Sequence, residues 1–200
     1  MKKIIFTLAF SGILISALSQ SKSAITTTPV SQPAMMPALD KSPMDMAYFP
    51  NDYPLQKTQN KVIAAPLVRV IYSRPQKDNR VIFGDLIEYD KVWRLGANEA
   101  TEIEFFKDAV IGGKKIIKGR YTLYAIPSAA KWTIIINRDT DSWGAFVYDQ
   151  KKDVLRTDVP VQNLITPMEV LSMNFIKTEK GTSLVMAWDN ASVSLPIDIK

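Results

Sequence analysis

From residue 67 onward the chain is written in short runs of β-branched and aromatic residues, each broken by turn residues after roughly ten positions. Residues 67–72 open the series, and Thr101-Glu102-Ile103-Glu104-Phe105 alternates, which puts both glutamates on one face of a strand and the apolar side chains on the other. Residues 109–111 and 115–117 flank Gly112-Gly113-Lys114, a tight-hairpin signature, because glycine accepts the positive φ that such turns demand. Residues 121–126, 132–137, 145–148, 154–159, 169–176, 183–188 and 192–197 complete the set, the last two joined by a turn at Asp189-Asn190-Ala191. No helical period competes with this pattern. Around ten short strands exceed one flat sheet, so the sequence predicts an all-β fold: two sheets packed as a β-sandwich, with a closed β-barrel as the alternative. Trp93, Trp132 and Trp188 are expected to anchor its core.

The N-terminus follows other rules. Met1-Lys2-Lys3 precedes an apolar run over residues 4–18, which reads as a signal peptide spanning 1–19. Ala17 and Ser19 supply the small residues of a cut before Gln20, and a cut after Ser23 or Ala24 is the alternative. The apolar run falls short of the roughly 20 residues that span a bilayer. No cysteine follows it to carry a lipid, so the expectation is a periplasmic or secreted protein with no stable membrane anchor after cleavage. Residues 20–60 are rich in Pro, Ser, Thr and Met and read as a linker ending in an aromatic arm, Tyr48, Phe49 and Tyr53, that lies along the domain or trails as a flexible tail. Residues 61–200 then form a single sandwich domain.

The 200 residues include no cysteine and no histidine, which removes thiol nucleophiles, Ser-His-Asp triads, histidine metal ligands and disulfides from consideration. Cleavage before Gln20 also removes Lys2 and Lys3, leaving 23 basic side chains against 20 acidic ones and a formal charge of +3 instead of +5. So small a surplus makes no case for nucleic acid. The one dense basic run, Lys114, Lys115, Lys118 and Arg120, sits between glycines and reads as solvated turns. No cofactor or metal site is expected. Residues 137–144, Asn-Arg-Asp-Thr-Asp-Ser-Trp-Gly, place oxygens like the start of a calcium loop. Yet Ser142 stands where the sharp-turn glycine belongs, and Tyr148 where the bidentate glutamate would be.

Polar chemistry is densest between residues 72 and 101. Arg74, Arg80, Arg94, Asn98 and Glu99, with Trp93 as an aromatic surface, can grip a carboxylate, phosphate or sugar. They can equally bond to one another as a network that holds a long loop. Glu99, Glu102 and Glu104 have the residue type for glycoside hydrolysis, although alternating charge on a solvent-facing strand explains Glu102 and Glu104 as well. Ser128-Ala129-Ala130-Lys131 has the Ser-x-x-Lys spacing of serine acyltransferases, in a hairpin loop where the helical stacking that this chemistry needs is missing.

Tyr72-Ser73-Arg74-Pro75, Phe83-Gly84-Asp85-Leu86 and the run from Lys91 through Trp93-Arg94-Leu95-Gly96-Ala97-Asn98-Glu99-Ala100-Thr101 resemble a bacterial family called domain of unknown function 2911. The resemblance continues through Gly119-Arg120-Tyr121-Thr122-Leu123-Tyr124, Trp132 to Asn137 and Trp143-Gly144-Ala145. It implies an exported protein of Gram-negative bacteria, often of the Bacteroidetes type, and no particular activity. The motif positions it adds to the candidate ligand-binding set are Thr101, Tyr124, Asn137 and Trp143. The expected function is a non-enzymatic sandwich binding a small polar ligand or an envelope protein. The rivals are a cofactor-independent hydrolase or lyase with Glu99 as acid or base, and a structural component of a surface assembly that docks by the aromatic arm.

Overall fold

The computed structural model describes residues 37–61 and 64–199; the segment 1–19 expected to be a signal peptide and residues 20–36 of the expected linker lie outside the described residues. Ten antiparallel strands are formed: β1 (Met44–Phe49), β2 (Val68–Ser73), β3 (Glu102–Phe105), β4 (Ala109–Ile111), β5 (Lys114–Ile116), β6 (Gly119–Pro127), β7 (Lys131–Asn137), β8 (Asp153–Pro160), β9 (Gln162–Thr178) and β10 (Gly181–Ile199). They build a six-stranded sheet ordered β1-β2-β3-β6-β7-β8 and a four-stranded sheet ordered β5-β4-β10-β9. The sandwich expected from strand number is present. The closed barrel is not, because each sheet runs from one edge strand to another with no ladder closing it.

Alternation decides which face is buried. Val68, Val70 and Tyr72 of β2 and Ile103 and Phe105 of β3 point inward. On the outer face Glu104 lies opposite Arg69 and Arg120, forms an ion pair with Arg69, and leaves Arg120 to bridge Glu102 and Asp141. The two glutamates are therefore rungs of a cross-strand charge ladder, the arrangement that stabilises a solvated sheet face.

β10 doubles back on itself at Asp189-Asn190, where Asp189 adopts φ +51°. Its ends meet, since the Ile199 amide donates to the Lys180 carbonyl at 3.0 Å. The buried positions also change parity across the turn, from Thr182, Leu184, Met186 and Trp188 to Val193, Leu195, Ile197 and Ile199, as a hairpin with one inner face requires. β9 wraps the tip of this hairpin: Met168 partners Asp189 and Asn163 partners Ala191, so residues 164–167 bulge outward and Ile165 is fully exposed.

Two expectations change. Residues 145–148 are a turn and not a strand, started by Gly144 at φ +70° and leaving Phe146 and Val147 in solvent. The stretch expected to be linker also contributes structure from residue 44. β1 pairs with β2 over its whole length, Met44 to Ser73 through Phe49 to Val68, and a short helix, α1 (Tyr53–Thr58), follows it. Pro43 and Pro50 flank the six paired residues, so proline is kept out of the ladder of an edge strand. Phe49 is buried, while Tyr48 packs on Tyr53 with ring centroids 5.7 Å apart.

The two sheets meet over an aromatic cluster. Trp132 of β7 and Trp188 of β10 come from opposite sheets, and Phe83 and Trp93, from the long connection between β2 and β3, wedge between them. Trp93 stacks on Trp188 with centroids 6.0 Å apart and meets Trp132 edge-on at 5.7 Å, while Phe83 lies 5.1 Å from Trp132. All three tryptophans expected in the core are there.

Candidate functional site

Residues 74–101 connect β2 to β3 and are nailed to the sandwich by apolar side chains. Ile82 and Leu95 are fully buried, and Trp93 exchanges two backbone hydrogen bonds with Ala125 of β6 at 2.7 and 2.9 Å. Anchored at these points, the connection turns its polar residues outward. Arg80 and Arg94 line a cleft of about 440 Å³ whose apolar wall includes Leu86, Trp93, Phe146 and Trp188. Among the described residues, no aspartate or glutamate lines it.

Arg94 is held at its backbone, where its carbonyl accepts from the Thr101 amide at 3.1 Å, and at its Nε, which donates to the Gly96 carbonyl at 3.3 Å. Neither of its terminal nitrogens has a hydrogen-bond partner among the described residues. Arg80 donates through Nε and Nη2 to the carbonyls of Lys77 and Gln76, leaving Nη1 without such a partner. Gly144 sets the opposite lip. A Cβ built there would lie 2.6 Å from the Phe146 ring and 3.4 Å from Arg94 Nη1, so the ring and the guanidinium both crowd a position that only glycine leaves open.

The structure divides the ten candidate residues into three groups. Arg80, Trp93 and Arg94 line the cleft. Asn98, Glu99 and Trp143 hold its flank: the Asn98 carbonyl accepts from the Gly144 amide at 2.9 Å, its side chain donates to Asp40 at 2.8 Å, and Glu99 pairs through its backbone with the exposed Trp143. Arg74, Thr101, Tyr124 and Asn137 belong to the scaffold. Arg74 ties the sheets together through Asp45 of β1 and through Leu171 and Ser172 of β9. Buried Thr101 donates to the Leu95 carbonyl at 2.7 Å. Tyr124 is sealed against Tyr148, and burial pushes its hydroxyl pKa up. Fully buried Asn137 donates to the Asp149 carbonyl and the Asp153 carboxylate and accepts from the Asp139 amide.

The other sequence motifs resolve into local structure. Asp139 and Asp141 of the calcium-like segment face Lys152 and Arg120 at 2.9 and 2.6 Å. Ser128 donates to the Lys131 carbonyl while the Lys131 ammonium turns to Asp158, so the Ser-x-x-Lys pair closes the β6–β7 turn. Lys115 of the basic run pairs with Asp108 at 2.8 Å. Trp188, Leu86 and Phe146 were missed as cleft residues. Only Phe146 had a local signal, an aromatic just after the turn-forming Gly144.

A larger cavity of about 1020 Å³ opens at another place, between β1, β4 and the β9–β10 turn, and is mainly apolar around Phe49, Leu67 and Ile199. Its rim balances Lys115, Lys177 and Lys180 against Asp108, Glu179 and Asp198, so it has size without a chemical preference. Chemistry favours the smaller cleft, where the charge has one sign and free donors.

No curated protein and no solved structure matches the chain. A family model described as "Protein of unknown function (DUF2911)" matches residues 54–197, a span that runs from α1 through β10 and includes Arg80, Arg94, Gly144 and Phe146. By that match over most of its length, the chain belongs to the DUF2911 family.

Proposed function

We propose that this DUF2911 protein is an exported, non-enzymatic β-sandwich that binds a small anionic ligand in the Arg80–Arg94 cleft, in the periplasm or after secretion. One observation carries the binding reading. Arg69, Arg74, Arg120 and Arg156 each hold a carboxylate, whereas Arg80, Arg94 and the exposed Arg138 have none within ion-pair distance among the described residues, and of these three Arg80 and Arg94 converge on one cleft. A guanidinium with free terminal nitrogens beside an apolar wall offers the planar fork that carboxylates and phosphates accept. Loops carried on a rigid sandwich are where such sites are usually built. The acid–base rival has less support, because Glu99 is exposed and does not line the cleft. The docking-arm rival loses its free arm to β1.

Export rests on Lys2-Lys3 and the apolar run over residues 4–18. The intact mass of the secreted chain should correspond to a start at Gln20; a chain that keeps Met1 or stays in the cytoplasm contradicts this. Binding is read from thermal unfolding in the presence of phosphate, acetate and citrate. A ligand at about 100 times its Kd adds about 2.7 kcal/mol, a shift of several degrees. Arg94→Gln should lose that shift and Lys118→Gln, on the turn before β6, should keep it. Equal stabilisation of wild type and Arg94→Gln would place the anion elsewhere.

A further inference from the structure

The lip of the cleft pairs a charge with an exposed ring. Phe146 is 81% exposed although it borders a half-enclosed site, and Leu86 on the opposite connection is 44% exposed. Exposed apolar side chains that rim a concave site offer surface for an apolar ligand to cover. A Cβ built on Gly144 would lie 2.6 Å from the Phe146 ring and 3.4 Å from Arg94 Nη1, which puts the ring edge and the guanidinium side by side at this lip, within the span of one small ligand. The turn that presents them is fixed on two sides: the Gly144 amide donates to the Asn98 carbonyl, and the Ser142 carbonyl accepts from the Ala100 amide at 2.9 Å. Beneath them Trp93 and Trp188 stack as a rigid aromatic floor.

From this juxtaposition we infer that the ligand is amphiphilic: a carboxylate, held by Arg94 with Arg80 beside it, joined to an apolar body that covers Phe146 and Leu86. The inference rests on the anion-binding reading above and narrows it. A guanidinium binds a carboxylate through two parallel hydrogen bonds in one plane, which leaves the substituent projecting away from the guanidinium and free to pack on neighbouring apolar side chains. Cation and ring at one lip would then accept the two ends of such a ligand together. A free aryl or alkyl acid and the C-terminus of a peptide ending in an apolar residue share this chemistry.

The test is an NMR titration of the exported domain with acetate, phenylacetate, hexanoate and inorganic phosphate, and with a short peptide ending in Phe in its free-acid and amidated forms. Phenylacetate and hexanoate should bind at least tenfold more tightly than acetate. Phe146→Ala should shrink that ratio several-fold, and Arg94→Gln should weaken every carboxylate, both variants keeping the wild-type fold by circular dichroism. A free-acid peptide that outcompetes phenylacetate while its amide does not would identify a C-terminus as the source; the reverse order identifies a free acid. If acetate and phosphate bind through Arg94 as well as the apolar acids do, or if Phe146→Ala leaves the ratio intact, the amphiphilic ligand is wrong and the anion site stands. If none of the probes binds, both readings fall.

Discussion

At the scale of single residues the polar groups separate by what they touch. Arg74 and Arg94 come from the same family-like stretch, yet Arg74 has its donors taken by Asp45, Leu171 and Ser172 while Arg94 keeps two free nitrogens. Tyr148 shows how strongly the scaffold holds a titratable group. Burial pushes its pKa up to about 12, reinforced by its hydrogen bond to Asp153 and partly opposed by Arg156. A hydroxyl kept neutral in the fold contributes its full stabilisation below its ordinary value near 10 and loses it as pH rises through about 12. The wild-type protein should therefore lose stability between pH 10 and about 12 more steeply than Tyr148→Phe, as urea midpoints measured across that range will show. Parallel pH profiles would mean that Tyr148 ionises in the fold as it does in water. None of this partition was legible in the sequence, because identical residue types at neighbouring positions differ only in the partners that distant strands bring to them.

At the scale of elements the hairpins were legible and the turns around the cleft were not. Gly112-Gly113 and Asp189-Asn190 carry local φ requirements, and both fold as their residues predict, at φ +56°, +77° and +51° for the three residues with positive φ. Residues 145–148 have strand-like composition, but Gly144 starts a turn that throws Phe146 outward, and only pairing with Asn98 and Ala100 reveals it. β1 hid in a proline-rich stretch because its pairing partner, β2, supplies the order that its own composition lacks. The fold-back of β10 has a direct consequence at Gly181, where an added Cβ would lie 2.4 Å from the Ile197 carbonyl and 2.7 Å from the Ile199 amide nitrogen. Both neighbours are backbone, so neither can swing away. Gly181→Ala should cost about 3 kcal/mol or more, read from denaturant unfolding. A loss below about 0.5 kcal/mol would show that the two ends of β10 do not meet.

At the scale of the whole molecule, strand number and alternation were enough to choose a sandwich, since burial on one face follows a period of two wherever the sheet packs. The cleft is a product of tertiary structure: Arg80 and Arg94 come from the β2–β3 connection, Phe146 from the turn after β7, and Trp188 from β10. Its floor is the same Trp93–Trp188 stack that joins the sheets, so the proposed binding site shares its aromatic rings with the core. That sharing supplies the most direct measurement. The protein has four tryptophans, so its indole N–H spectrum holds four resonances that report separate places. Trp93 and Trp188 line the cleft, Trp132 is buried in the core without lining it, and Trp143 is exposed and does not line it either. On titration with phenylacetate, the Trp93 and Trp188 resonances should move most and saturate together, Trp132 should move least, and Arg94→Gln should abolish the response. Saturable binding that leaves Trp93 and Trp188 unmoved would contradict the assignment of the Arg80–Arg94 cleft as the site.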